Sequence, residues 1–353
     1  MGKNNSMIRP GSRRQPHRFA FIIWLVAALN SPLVLAIDEE RFFEDYHTRV
    51  EPFFYEAAAQ YLETEDGIRL HYRLHLQAEA APLVLLITGR SEPLIKYDEL
   101  SYDLFQLGYS IALYDHRGQG RSSRLLNDSD KGHIDNYAQY ASDLLSIYEK
   151  VLKPLPKTEL FAISHSMGGN ILTIFSASHP DKFDKIILSS PMIDINTGNY
   201  PEWIAYTVTS LYSMLGLGQE YVWGLGPRRS NVWSMGSHTH STIRKKKRLY
   251  QEERFPRHWI GGPTMKWLKA SLDATSSMKK LAPQMATQSL LFQAGRDQVV
   301  LSAGQDIVCQ RAPACEKIVF PNAYHEIYME ADDIRERALA LTHAFFQDQP
   351  LPR

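Results

Sequence analysis

The segment that most constrains the fold is LFAISHSMGG, residues 160–169. Residues 160–164 form a short apolar run without helical spacing, as a strand buried on both faces requires. Residues 167–178 read as a helix that begins almost at once. A chain can turn from strand to helix so sharply only if small side chains flank the turn. Ser164, Gly168 and Gly169 supply them, with Ser164 in a place more often held by glycine. Such a turn lifts the side chain at its apex, Ser166, above the carboxyl end of a sheet.

The rest of the chain repeats the alternation. Residues 61–65 and 68–76 read as strands joined at Asp66-Gly67, a hairpin signal. Apolar runs at 82–88 (PLVLLIT), 110–114 (SIALY) and 185–189 (KIILS) predict further strands, with helices near 97–107 and 135–152. Between 196 and 276 the alternation stops, and five of the six tryptophans fall there. It resumes with strands at 289–293 and 317–320, a helix after Ser302 and a closing helix at 331–347. This order predicts a mostly parallel, doubly wound α/β sheet with an inserted, mainly helical cap. The expected organisation is an N-terminal segment 1–36, an arm 37–60, a core half 61–195, the cap 196–276 and a second core half 277–353.

A serine hydroxyl needs a base before it acts as a nucleophile. On a strand–turn–helix elbow the partners follow in the order serine, acid, histidine. Asp297 follows the strand at 289–293 and His325 follows the strand at 317–320, each at a strand's carboxyl end. Ser166, Asp297 and His325 are therefore the candidate catalytic triad. Glu326 adjoins the histidine too closely to reach its far nitrogen, and Asp306 falls inside a helix. The oxyanion donors expected are the amides of Met167 and of Arg90, in the loop after 82–88. That assignment leaves the Arg90 guanidinium at the rim of the site, either for a substrate phosphate or paired with Glu92 or Asp98. Trp203 and Trp223 are candidate substrate-binding residues, although cap tryptophans also serve as core.

Asp115-His116-Arg117-Gly118-Gln119-Gly120-Arg121-Ser122, the elbow and Ala323-Tyr324-His325-Glu326 resemble the monoacylglycerol lipase and lysophospholipase branch of the α/β-hydrolases. Gly89-Arg90, Lys96-Tyr97, Ser241-Thr242-Ile243-Arg244 and Gly261-Gly262-Pro263-Thr264 with Trp267 are similar to the bacterial inner-membrane lysophospholipases. The resemblance spans about residues 55–347. It implies the α/β-hydrolase fold and cofactor-free hydrolysis of esters of single-chain lipids. Two other readings stand beside it: a peptidase or amidase of the same fold, and a silent binding protein.

Residues 1–36 hold five basic residues and no acid, with the apolar run FAFIIWLVAAL and then Val34 and Ala36. This reads as a secretory signal cut after Ala36 or as an uncleaved inner-membrane anchor, and places the chain in the cell envelope. The remainder is mildly acidic, which argues against nucleic-acid partners. Export permits a disulfide between Cys309 and Cys315, with two unpaired thiols as the alternative. The basic run 244–248 (RKKKR) is either a solvated helix face or a contact for phosphate head groups and an anionic membrane surface. His238 and His240 have metal-like spacing but no accompanying ligands, so no metal is expected.

Overall fold

A computed structural model describes residues 36–198, 200–228 and 238–352. The leader or anchor expected at the N-terminus lies outside the described residues, except for Ala36. Among the described residues, no helix is long and apolar enough to cross a membrane.

The strands are β1 (Gln60–Glu63), β2 (Arg69–His75), β3 (Leu83–Ile87), β4 (Ser110–Tyr114), β5 (Leu160–His165), β6 (Lys185–Ser189), β7 (Gln288–Ala294) and β8 (Cys315–Phe320). Among the described residues they form one eight-stranded sheet, ordered β1-β2-β4-β3-β5-β6-β7-β8. The first two strands join antiparallel, and β4, β3, β5, β6, β7 and β8 pair in parallel. The continuous apolar runs of β3, β4, β5 and β6 are buried along their whole length, as strands covered on both faces must be.

The helices around this sheet are α1 (Asp98–Gln106), α2 (Ala138–Ile147), α3 (Met167–Ser178), α4 (Glu202–Met214), α5 (Thr242–Arg254), α6 (Met265–Leu281), α7 (Ser302–Arg311) and α8 (Asp332–Phe346). From β3 the chain winds to β4 on one side, then crosses back to β5 on the other. The crevice this reversal opens at the carboxyl ends of β3 and β5 is where such sheets build their sites.

The helical cap is formed by α4, α5 and the start of α6. Ser241 and Thr264 cap α5 and α6 by accepting the amides of Arg244 and Trp267. Helix α6 crosses residue 276, the boundary drawn from sequence, and packs against both α4 and α3. It is thus cap at its start and core at its end. Cys309, in α7, and Cys315, at the start of β8, are joined in a disulfide.

The basic run forms the N-terminal part of α5 and is a solvated face only in part: Lys246 is exposed, while Arg244 and Lys247 are buried. Positions 244, 247, 248 and 251 recur at helical spacing on the inner side. Arg244 donates to Glu99 at 2.9 Å and Lys247 to Asp98 at 2.8 Å, all four side chains buried. Tyr46, from the helical arm 42–56, donates to Asp98 at 2.7 Å. The arm is therefore bound into the same buried charge cluster that holds the cap to α1.

Candidate active site

Ser166 sits between β5 and α3 with φ of 51° and ψ of −114°. A non-glycine residue in this region is strained, by roughly 1–3 kcal/mol, and survives only where its surroundings enforce it. The flanking residues show why small side chains are needed. A Cβ on Gly168 would run into the carbonyl oxygens of Ile87 and Thr88, and one on Gly169 into Pro191. Ser164 fits where glycine is more usual because its hydroxyl donates to the Ile187 carbonyl at 3.0 Å.

His325 Nδ1 donates to Asp297 Oδ2 at 2.7 Å, and Asp297 Oδ1 accepts the amides of Val299 and Val300 at 2.8 and 3.1 Å. Burial disfavours the charged Asp297. The bond and charge of His325, with those two amides, outweigh it and hold the carboxyl below its ordinary range. Ser166 and His325 line one cavity of about 570 Å³. The two other acids in contention have other partners. Asp306 binds Lys317 and Gln293, and Glu326 binds Lys96.

The amide of Gly89 donates to Glu92 Oε2 at 2.7 Å and that of Ser91 to Gln119 Oε1 at 2.8 Å. Between them the Arg90 amide has no acceptor among the described residues. The Met167 amide opens helix α3, where the first turn leaves its donors unpaired and the helix dipole favours negative charge. Both amides are thus available to a developing oxyanion. Gln119 also donates to the Gly89 carbonyl at 3.1 Å, so this side chain clamps the loop from two sides.

The Arg90 guanidinium is not the free rim group expected, nor is it paired with Glu92 or Asp98. It donates to the Gly261 carbonyl at 3.0 and 3.1 Å and to Ser91 Oγ at 2.8 Å, with its plane over Trp267. These bonds tie the loop of Arg90 to the cap. Burial lowers the guanidinium's pKa to about 10.

Of the candidate substrate-binding tryptophans, Trp223 lines the cavity and donates to the Tyr212 hydroxyl at 3.0 Å. Trp203 does not line it and is 68% exposed on α4. Buried Trp267 is the cavity wall that sequence reasoning left out of the site. His240 pairs with Glu330 and stacks on Tyr324. His238 lies against His325 in the cavity wall, where burial lowers its pKa to about 4.

Sequence reasoning also missed the network beneath the site. Glu92 accepts from Gly89, Tyr97, His165 and Lys96, and Lys96 binds Glu326 at 2.8 Å. Burial disfavours the Glu92 carboxylate, but the charges of His165 and Lys96 keep it well below its ordinary range. His165 Nε2 faces the His325 carbonyl at 3.3 Å while Nδ1 faces Glu92. Both partners are acceptors, which favours a doubly protonated ring. Burial opposes that state and Glu92 outweighs burial, so the His165 pKa is raised. One carboxylate thereby links the loop of Arg90 to the residue before Ser166 and, through Lys96, to the loop of His325. The four-residue spacing of Glu92 and Lys96 was the available signal.

Residues 78–332 match the family described as serine aminopeptidase, S33. A probable lysophospholipase L2 of Haemophilus influenzae is 32% identical, over 84% of this chain and 95% of that protein. Lysophospholipase L2 of Escherichia coli K12 is 34% identical, over 76% and 82% of the two chains. The solved structure of a soluble variant of monoglyceride lipase from Saccharomyces cerevisiae superposes with a TM-score of 0.66 at 19% identity. It covers 84% of this chain and 96% of that one.

Proposed function

The chain belongs to the α/β-hydrolase family described as serine aminopeptidase, S33, and on that premise we propose that it hydrolyses carboxylic esters of single-chain lipids, lysophospholipids foremost. The observation that carries this reading is an Asp297–His325 pair and Ser166 opening on a cavity lined largely by apolar side chains. Ile204, Val208, Leu268 and Trp223 are among its apolar lining, and its polar lining includes Glu326, His238 and Arg248, grouped beside His325. A lipid with one acyl chain and a polar head matches that division.

In the proposed cycle His325 Nε2 takes the Ser166 proton as Oγ attacks the ester carbonyl. Asp297 holds the ring proton on Nδ1 and stabilises the imidazolium. The amides of Arg90 and Met167 receive the oxyanion. His325 then protonates the leaving glycerol oxygen, which departs and leaves an acyl ester on Ser166. Water, deprotonated by His325, attacks that ester and releases the fatty acid and the free serine.

An aminopeptidase would need a carboxylate free to receive the substrate's ammonium. Glu92 and Glu326 are near, but both are engaged by Lys96, which favours the ester. Tyr200, Trp203, Met214 and Leu215 are exposed on and around α4. This apolar surface supports docking on a lipid aggregate or membrane.

We place the protein in the cell envelope, processed after Ala36 or anchored there by its N-terminal segment. Ile37 is buried with its nitrogen 3.4 Å from Asp103 Oδ1, so a chain beginning at Ile37 would set its new ammonium beside a carboxylate. The N-terminal residue of protein taken from the envelope separates the two: Ile37 means cleavage, and a start near Met1 means the anchor.

The function is tested with a fluorophosphonate probe and a panel of lysophosphatidylcholine, monoolein and a dipeptide amide. Labelling of wild type but not of Ser166→Ala, with turnover of the lipid esters, supports the assignment. Preference for the dipeptide amide refutes it, and absence of labelling or turnover points to a binding protein.

A further inference from the structure

The polar lining of the cavity holds a guanidinium that the ester chemistry does not use. Arg248 projects from the inner face of α5 and lines the same cavity as Ser166 and His325. Its Nε donates to Glu252 at 2.9 Å and its plane lies over Trp259 at 5.2 Å. These two contacts fix the direction of the group. Its terminal nitrogens are different. NH1 lies 3.7 Å from Glu326, beyond hydrogen-bond reach, and neither terminal nitrogen donates a hydrogen bond to the described residues.

The charges around it are also arranged for an anion. Glu92 and Glu326 face Lys96, Arg248 and His165, and Lys96 bridges the two carboxylates. With Glu252 beside Arg248 and Arg228 3.8 Å from Glu252, three negative groups therefore meet three fixed positive ones and an imidazole pushed toward its cationic form by Glu92. One further negative charge is accepted there without leaving a carboxylate unpaired. Arginine with both terminal nitrogens unoccupied is suited to paired bonds with phosphate oxygens.

His238 lies beside the His325 ring and Arg248 beside Glu326, the next residue in the chain, so a leaving glycerol that takes its proton from His325 falls on the side of His238 and Arg248. We propose that Arg248 binds the phosphate of the substrate's head group and is the residue that selects lysophospholipid over monoacylglycerol. This rests on the ester-hydrolase reading above. It assigns to Arg248, on the cap, the role that sequence analysis had offered to Arg90, whose guanidinium is engaged by Gly261.

The test uses the full chain with palmitoyl lysophosphatidylcholine and monopalmitoylglycerol, comparing wild type, Arg248→Gln and Arg248→Lys. Arg248→Gln should lower kcat/KM on the lysophospholipid by roughly tenfold or more and on the monoacylglycerol by less than about threefold. Arg248→Lys, which keeps the charge and loses the fork, should fall between. Glycerophosphocholine should compete with monopalmitoylglycerol in wild type and lose that effect in Arg248→Gln. Fluorophosphonate labelling at the wild-type rate shows that each variant has kept its fold.

Equal losses on both lipids overturn the proposal and reduce Arg248 to a support for Glu326 and Glu252. Competition by inorganic phosphate as strong as by glycerophosphocholine, with no difference between the lipids, overturns it in favour of a free-phosphate site. A wild type that turns over neither lipid refutes the underlying ester-hydrolase reading instead.

Discussion

Asp297→Asn tests the triad because the structure dictates how the new amide must sit. Both carboxylate oxygens of Asp297 are committed, Oδ2 to His325 Nδ1 and Oδ1 to the amides of Val299 and Val300. The asparagine carbonyl oxygen must face those two amides, since its NH2 would set donor against donor. Two backbone bonds at about 1 kcal/mol each favour that orientation by about 2 kcal/mol. The NH2 group then faces Nδ1, which must become an acceptor, and the ring proton moves to Nε2. That is the nitrogen required to accept the Ser166 proton. A tautomer error of this kind lowers kcat by about 10⁴, equivalent to about 5.5 kcal/mol of barrier. The assay is fatty-acid release from lysophosphatidylcholine by purified variant, with thermal unfolding to show that it has folded. A loss smaller than about a hundredfold refutes the reasoning. Asp306→Asn is the control. Its carboxylate binds Lys317 and Gln293, and a greater loss there than at Asp297 would transfer the acid's role to Asp306.

Ser166→Gly should abolish labelling yet raise Tm by about 2 °C, because glycine relieves the positive φ at a gain of about 1 kcal/mol; a lower Tm contradicts the strain argument. Glu92→Gln should reduce kcat by at least about tenfold on all esters alike, since four donors converge on that carboxylate and one holds the oxyanion loop; an unchanged kcat removes Glu92 from the positioning of that loop. Acid should destabilise the fold through Glu99 and Glu326. Burial disfavours each carboxylate, but Arg244 and Lys96 respectively lead the cations that hold it at about 2, against an ordinary 4.5. The unfolded chain binds protons as pH falls through 4.5 while the folded one resists, so this stability is present above that value and drains toward pH 2. Urea midpoints across that range measure it, and a flat profile, or one unaltered by Glu99→Gln, speaks against these two groups.

The local rules were sufficient for most of the frame. Apolar runs at β3, β4, β5 and β6 could be read as buried strands because parallel strands covered on both faces leave no polar alternation to confuse the pattern. Ser166, Asp297 and His325 could be located because each follows a strand, and a strand's end is a local property. The cap was legible only as an interruption, and its border at 276 falls within α6 because one continuous helix serves both layers. Where a long side chain goes is decided by what packs opposite it, and that information lies far away in the chain. Arg90 is held by Gly261, Arg244 and Lys247 turn inward to acids on α1, and Trp203 faces outward while Trp267 forms the wall. The sequence by itself determined the strand order's building blocks and the candidate triad positions at their ends, since short-range sterics and burial set both. Only the tertiary structure decided which cations are consumed in buried pairs and which, at Arg248, keep their donors toward the cavity, because charge pairing depends on distances that no local spacing encodes.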